Sequence, residues 1–231
     1  MTYKSSEEIR SEVLFQLGWD SRVNQAEIEV TATQGAVTLT GKVESYAKKL
    51  AAQEAAHCVP GVLNVVNEIE VVISRGLRWS DSEIAQAVRQ ALEWNVLLPA
   101  GQIRSTVMEG WVTLEGKVEY YRERDDAERT ASHLPGVRGV TNKIVVCHPV
   151  EPETVKFLIE DVLKRRADRI ANRIRVKVDN GEVTLTGPVK SWDEKLSVLG
   201  AVSHTPGVTA LKDHLFVDFY DLRFEPTLTG R

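Results

Sequence analysis

The spacing that most invites a chemical reading is a glycine followed, after a short run, by Gly-Lys. Gly35 leads to Gly41-Lys42, and Gly110 leads to Gly116-Lys117. A glycine-rich loop ending in Gly-Lys is one way to cradle nucleotide phosphates, but that loop holds four residues between its glycines and a hydroxyl after the lysine for Mg2+. Here five residues intervene, Val43 or Val118 follows the lysine, and the intervening residues alternate like a strand. Gly136-Val137-Arg138-Gly139 has the outline of the clamp with which KH domains hold RNA, yet a strand pattern follows it, so it is read as a turn. Cys58 and Cys147 have no CxxC and no histidine at ligand spacing, which leaves two buried or idle thiols. HExxH and GxSxG are absent, and no Ser, His and acid set pairs across the copies. No catalytic residue, metal site or cofactor is expected, and no carboxylate stands in an apolar neighbourhood that would raise its pKa.

The same glycines carry a different message once their spacing is followed along the chain. GxVTLxG occurs at Gly35–Gly41, Gly110–Gly116 and Gly181–Gly187, with offsets of 75 and then 71 residues. Pro60-Gly61-Val62, Pro135-Gly136-Val137 and Pro206-Gly207-Val208 keep both offsets, as do Ile9, Ile84 and Val155. Residues 7–73, 82–148 and 153–219 therefore align as three copies of one unit, followed by a tail at 220–231, with the aromatic run Phe219 to Phe224 at the boundary.

Hydrophobic periodicity gives the shape of the unit. Ile9, Val13, Leu14 and Leu17 have helical spacing after the capping-type Ser5-Ser6-Glu7-Glu8. Ile28 to Ala32 and Val37 to Thr40 alternate with period two around Gln34-Gly35, a hairpin, and the third copy turns at Asn180-Gly181. A second helix is expected from Ser45 to about Val59, ended by Pro60-Gly61, and Val65, Ile69 and Val71 form a last strand. The fold class is α+β: three tandem α-β-β-α-β units, each a three-stranded mixed sheet with two helices on one face. Gly35, Gly110 and Gly181 are expected at hairpin positions needing positive φ, and Gly41, Gly116 and Gly187 where the strand ends. Tyr46, Tyr121 and Trp192 align at the start of helix two and are expected to pack over the hairpin. His133 and His204, aligned with Cys58, are expected to cap helix carbonyls.

Two sets of side chains remain as binding candidates. Asn67, Asn142 and Asp213 share one inward position on the last strand; hydrogen bonding to local backbone is the expected role, and holding a cation with nearby carbonyls is the other reading. The sheet face away from the helices carries Glu29, Thr31, Thr38, Thr40, Glu68 and Glu70 in the first copy. In the third it carries Arg175, Lys177, Lys212, His214 and Phe216, adjoining Arg173, Lys164, Arg165, Arg166 and Arg169. An acidic face has become a basic one, suited to anionic lipid head groups or to an acidic face of another copy, within the chain or in a homo-oligomer.

The three copies resemble the BON domain, a bacterial module of osmotically induced and nodulation proteins. The likeness rests on the GxVTLxG hairpin, the Pro-Gly-Val turn and the closing Val65-Val66-Asn67-Glu68-Ile69-Glu70-Val71. It implies a non-enzymatic binding or interaction module in osmotic or envelope stress, working at phospholipid surfaces or on protein clients. For one cytoplasmic type of the family it implies potassium (K+) binding, so a monovalent-cation or small-ligand sensor is the alternative. Composition is in keeping, with 42% hydrophobic and 27% charged residues, which excludes a disordered chain and a membrane bundle. A net charge of −4 argues against a dedicated nucleic-acid binder. The opening MTYKSSEEIR lacks the apolar stretch of a signal peptide, so a cytoplasmic protein is expected.

Overall fold

The first two units open with a helix that their own sequence caps. Ser5 accepts from the backbone N–H of Glu8 while the Glu8 carboxylate accepts from that of Ser5, a capping box that starts α1 (Ser6–Trp19). Ser80 and Glu83 repeat the device at α3 (Asp81–Trp94). The computed structural model describes residues 4–73, 79–147, 152–166 and 173–217. The Arg75-Gly76 linker, Arg169, the side chains of Lys164, Arg165 and Arg166, and the tail at 220–231 lie outside the described residues.

After α1 come β1 (Ile28–Thr33), β2 (Ala36–Val43), α2 (Tyr46–His57), β3 (Asn64–Asn67) and β4 (Glu70–Val71). The second copy continues from α3 with β5 (Ile103–Met108), β6 (Trp111–Val118), α4 (Tyr121–Ser132) and β7 (Gly139–Val146). The third is α5 (Pro152–Arg166), β8 (Arg175–Asp179), β9 (Glu182–Val189), α6 (Trp192–Ser203) and β10 (Ala210–Val217). The long middle strand of each sheet pairs antiparallel with the first and parallel with the last, as the sheet order β5-β6-β7 shows. In the first copy the last strand is broken at Glu68-Ile69, so β3 and β4 pair separately with β2. Both helices lie on one face, α1 against β1 and α2, and α2 against β2 and β3. Each copy has its own core, with Leu17 and Leu39, Ile84 and Leu114, and Ile159 and Leu185 wholly enclosed.

Two glycine positions explain why the repeat keeps its motif. Gln34 and Gly35, at φ 50° and 83°, have the paired positive φ of a primed two-residue turn, and Glu109-Gly110 and Asn180-Gly181 match them. Gly41, Gly116 and Gly187 do not end their strands as expected. They stand inside β2, β6 and β9, because the chain entering the first strand crosses there. A Cβ on them would lie 2.1, 2.2 and 2.3 Å from the carbonyl oxygens of Glu27, Gln102 and Arg173, closer than any side chain tolerates.

The copies are joined by the aromatic residues at the start of helix two, of which Tyr121 and Trp192 also pack against the cores of their own copies. Tyr46 of the first copy packs against the core of the second, and Tyr121 of the second packs against the core of the third. Trp192 of the third lies flat on His57 of the first, with centroids 3.5 Å apart and rings 2° from parallel. Every copy thus lends its helix-two aromatic to the next, and the third returns to the first. A small unit that buries only about 60% of its unfolded surface gains most from such neighbours.

Candidate functional site: the uncovered sheet faces and the helix-two junctions

Strand alternation puts the basic set of the third copy where expected. Arg175, Lys177, Lys212, His214 and Phe216 are exposed on the side of the sheet away from α5 and α6, while Val183, Leu185, Leu215 and Val217 point inward. Lys212 is not a lone cation. Its Nζ sits 2.6 Å from Glu182 across the β9–β10 pair, as Lys42 meets Glu70 and Lys143 meets Glu115 on the corresponding faces. Arg175 and Lys177 meet no carboxylate among the described residues, and Phe216, 55% exposed, stands on the same face. Arg173 lies half-buried at the entrance to β8. The first copy's face carries exposed Glu29, Glu68 and Glu70, with Lys42 as a counter-charge that the sequence reading had left out. It had also passed over the second copy's face, where Arg104, Lys117 and Lys143 surround exposed Met108, Trp111 and Val145. The same alternation that gave the third face would have given this one.

Asn67, Asn142 and Asp213 do not form one cluster; each ties the last strand to helix two of its own copy. Asn67 Nδ2 donates to the Lys49 carbonyl (2.8 Å) and to Gln53 Oε1, and its Oδ1 accepts from the Ile69 N–H. Asn142 makes the same three bonds with the Arg124 carbonyl, Glu128 and Ile144. Asp213 accepts from the Leu215 N–H, and the ammonium of Lys195, at 2.8 Å, takes the place of the amide's donors.

Two groups on the second helices are strongly perturbed. Burial first, then the charge of Lys195, holds the His57 imidazole down to about 4, and its Nδ1 is buried without a hydrogen-bond partner among the described residues. Asp125 on α4 corrects the expectation that no carboxylate is perturbed: burial pushes it up to about 6, with Arg124 opposing and Glu128 reinforcing the rise. Both Cys58 and Cys147 are exposed, which removes the buried alternative for these thiols and leaves the idle one. His133 Nδ1 lies 2.7 Å from the Arg129 carbonyl four residues back, and His204 meets the Gly200 carbonyl in the same way, so both act at helix ends as expected.

A BON domain family model matches residues 5–73, 80–148 and 153–218, one match per structural unit. The chain belongs to the BON domain family. This tandem BON protein is 28% identical over 127 residues to osmotically-inducible protein Y of Escherichia coli, a stretch that makes up 53% of the chain and 63% of that relative, less than two thirds of its length. Among solved structures, CdsD, a structural protein of the type III secretion system of Chlamydia trachomatis, aligns over 94% of this chain and 97% of its own, at 17% identity and a TM-score of 0.27. Its C-terminal domain aligns over 92% and 98%, at 16% identity and 0.25. Among the described residues no helix is long and apolar enough to cross a membrane.

Proposed function

We propose that this BON protein is a non-catalytic binding module of the osmotic or envelope stress response, and that it engages anionic phospholipid surfaces through the uncovered sheet face of its third copy. The observation that supports this reading is the combination of exposed Arg175 and Lys177, unmatched by carboxylates among the described residues, with exposed Phe216 on one rigid face. Cations near an anionic surface contribute about 1 kcal/mol each before screening, and an aromatic ring among them suits the headgroup layer. The kinship with an osmotically inducible protein supports the physiological setting. Co-sedimentation with phosphatidylglycerol vesicles tests the reading. Binding should fall as NaCl rises and should be lost when Arg175, Lys177 and Lys212 are all replaced by Glu. If the triple variant sediments as the parent does, this face is not the lipid-binding one. If only a fragment of residues 1–75 is captured, and vesicles are not, the face serves protein docking.

A further inference from the structure

The three copies act as internal controls for one another, and one place in the molecule departs from its two siblings at several positions at once. Between the first and second copies lies an open cleft of about 370 Å³, lined on one side by Tyr46 and Lys49 of α2 with the segment Ile69 to Val71, and on the other by Trp111 and Arg138. Trp111 replaces Ala36 and Glu182 of the other copies, Arg138 replaces Leu63 and Thr209, and Gly139 replaces Asn64 and Ala210. The three changes are one device. A Cβ on Gly139 would stand 2.3 Å from Trp111 Cζ3, so the indole lies flat across the strand only because that side chain is missing.

The charges at this cleft are unusual in the same direction. Lys49 and Arg138 are both half-buried, and neither meets a carboxylate among the described residues. The aligned Lys195 of the third copy, in contrast, is held by Asp213. Glu70, the acid in the lining, is engaged by Lys42 at 3.6 Å. Glu128, whose charge acts on Tyr46, accepts from Asn142 Nδ2 at 3.1 Å. Half-burying two cations without a counter-charge is unfavourable unless an anion joins them, and a planar guanidinium is shaped for a phosphate or carboxylate.

We propose that the cleft between the first two copies binds one small organic anion, a phosphate or carboxylate borne on a planar ring, with Lys49 and Arg138 on the anionic head and Trp111 and Tyr46 against the ring. The cleft lies at the low end of the size range for small-ligand sites. It draws one cation from each copy, so the ligand clamps the two together and stabilises the chain by mass action. The inference stands apart from the lipid reading, which concerns the third copy's outer face.

Titration calorimetry of the full chain with phenyl phosphate, benzoate, inorganic phosphate and phenol tests it. Phenyl phosphate or benzoate should bind at one site per chain and raise the melting temperature, at least tenfold tighter than inorganic phosphate or phenol. Arg138→Leu and Trp111→Ala install the residues that the first copy already uses, and each should weaken binding at least tenfold, while Arg138→Lys should retain part of it. Lys49→Gln, at a side chain with no ion pair among the described residues, should also weaken binding and serves if the others fold poorly. No saturable binding, three sites per chain, an Arg138→Leu variant that binds as the parent does, or inorganic phosphate binding as tightly as the ring compounds would each overturn the proposal. Phosphatidylglycerol vesicles should leave bound phenyl phosphate in place; displacement would make the two cations a headgroup site and overturn the free ligand.

Discussion

Acidification should loosen the closure between the third and first copies, and His57 is where the effect can be measured. Its imidazole is stacked under Trp192 with Nδ1 unpaired, and burial and Lys195 hold its pKa near 4, against 6.5 when free. That gap corresponds to about 3 kcal/mol at 1.36 kcal/mol per pKa unit. Solvent at the margin of the junction screens part of it, leaving about 1–2 kcal/mol. The sign follows from proton counting. Between pH 6.5 and about 4 the open or unfolded chain binds a proton at His57 that the closed chain excludes, so stability falls as pH drops through this window and levels off below it. His57→Phe keeps a ring beneath Trp192 and removes the titration. Urea unfolding followed by circular dichroism at pH 7.5 and 4.5 should show the parent losing about 1–2 kcal/mol more than His57→Phe. Parallel pH profiles for the two proteins would refute the burial of His57 at this junction.

Gly116→Ala would place a methyl group where the Gln102 carbonyl oxygen lies, 2.2 Å from the ideal Cβ, and should destabilise the second copy by more than about 2 kcal/mol in the same unfolding assay. Asn142→Ala removes the bonds joining β7 to α4 and should lower stability by about 1–3 kcal/mol, read from the urea midpoint. Melting in matched KCl, NaCl and LiCl should give one temperature, because the Oδ1 atoms of Asn67, Asn142 and Asp213 are already engaged by the N–H groups of Ile69, Ile144 and Leu215. A rise specific to K+ would support a cation-sensing role for those residues.

The unit could be read from sequence because its signals are local. Helical spacing, a capping box and a hairpin glycine are each settled within a few residues; the spacing and the glycine recur three times and the capping box twice. What escaped depends on residues far apart in the chain. Periodicity says that Tyr46, Tyr121 and Trp192 are apolar on helix two; it does not say that Tyr46 and Tyr121 reach the next copy's core or that Trp192 lies on His57 of the first. The Lys212–Glu182 pair needs the parallel register of β9 and β10, and the glycine inside β2 needs the crossing of residue 27. The absence of partner residues does not tell a buried thiol from an idle one, and the helix end leaves Cys58 exposed. Arg138 sat inside the segment set aside as a false KH clamp. Comparing the copies for residues unique to one of them would have marked it, together with Trp111 and Gly139.

The central claim, that the third copy's outer face meets an anionic bilayer, is tested most directly by depth-dependent quenching. Phe216→Trp and, separately, Thr31→Trp on the first copy's outer face each add one indole to an exposed strand position. With vesicles of phosphatidylglycerol and brominated phosphatidylcholine at low salt, the emission added by Phe216→Trp should be quenched, that added by Thr31→Trp should not, and the quenching should vanish at high salt. Equal quenching of both, or binding to the vesicles with neither quenched, would contradict the account.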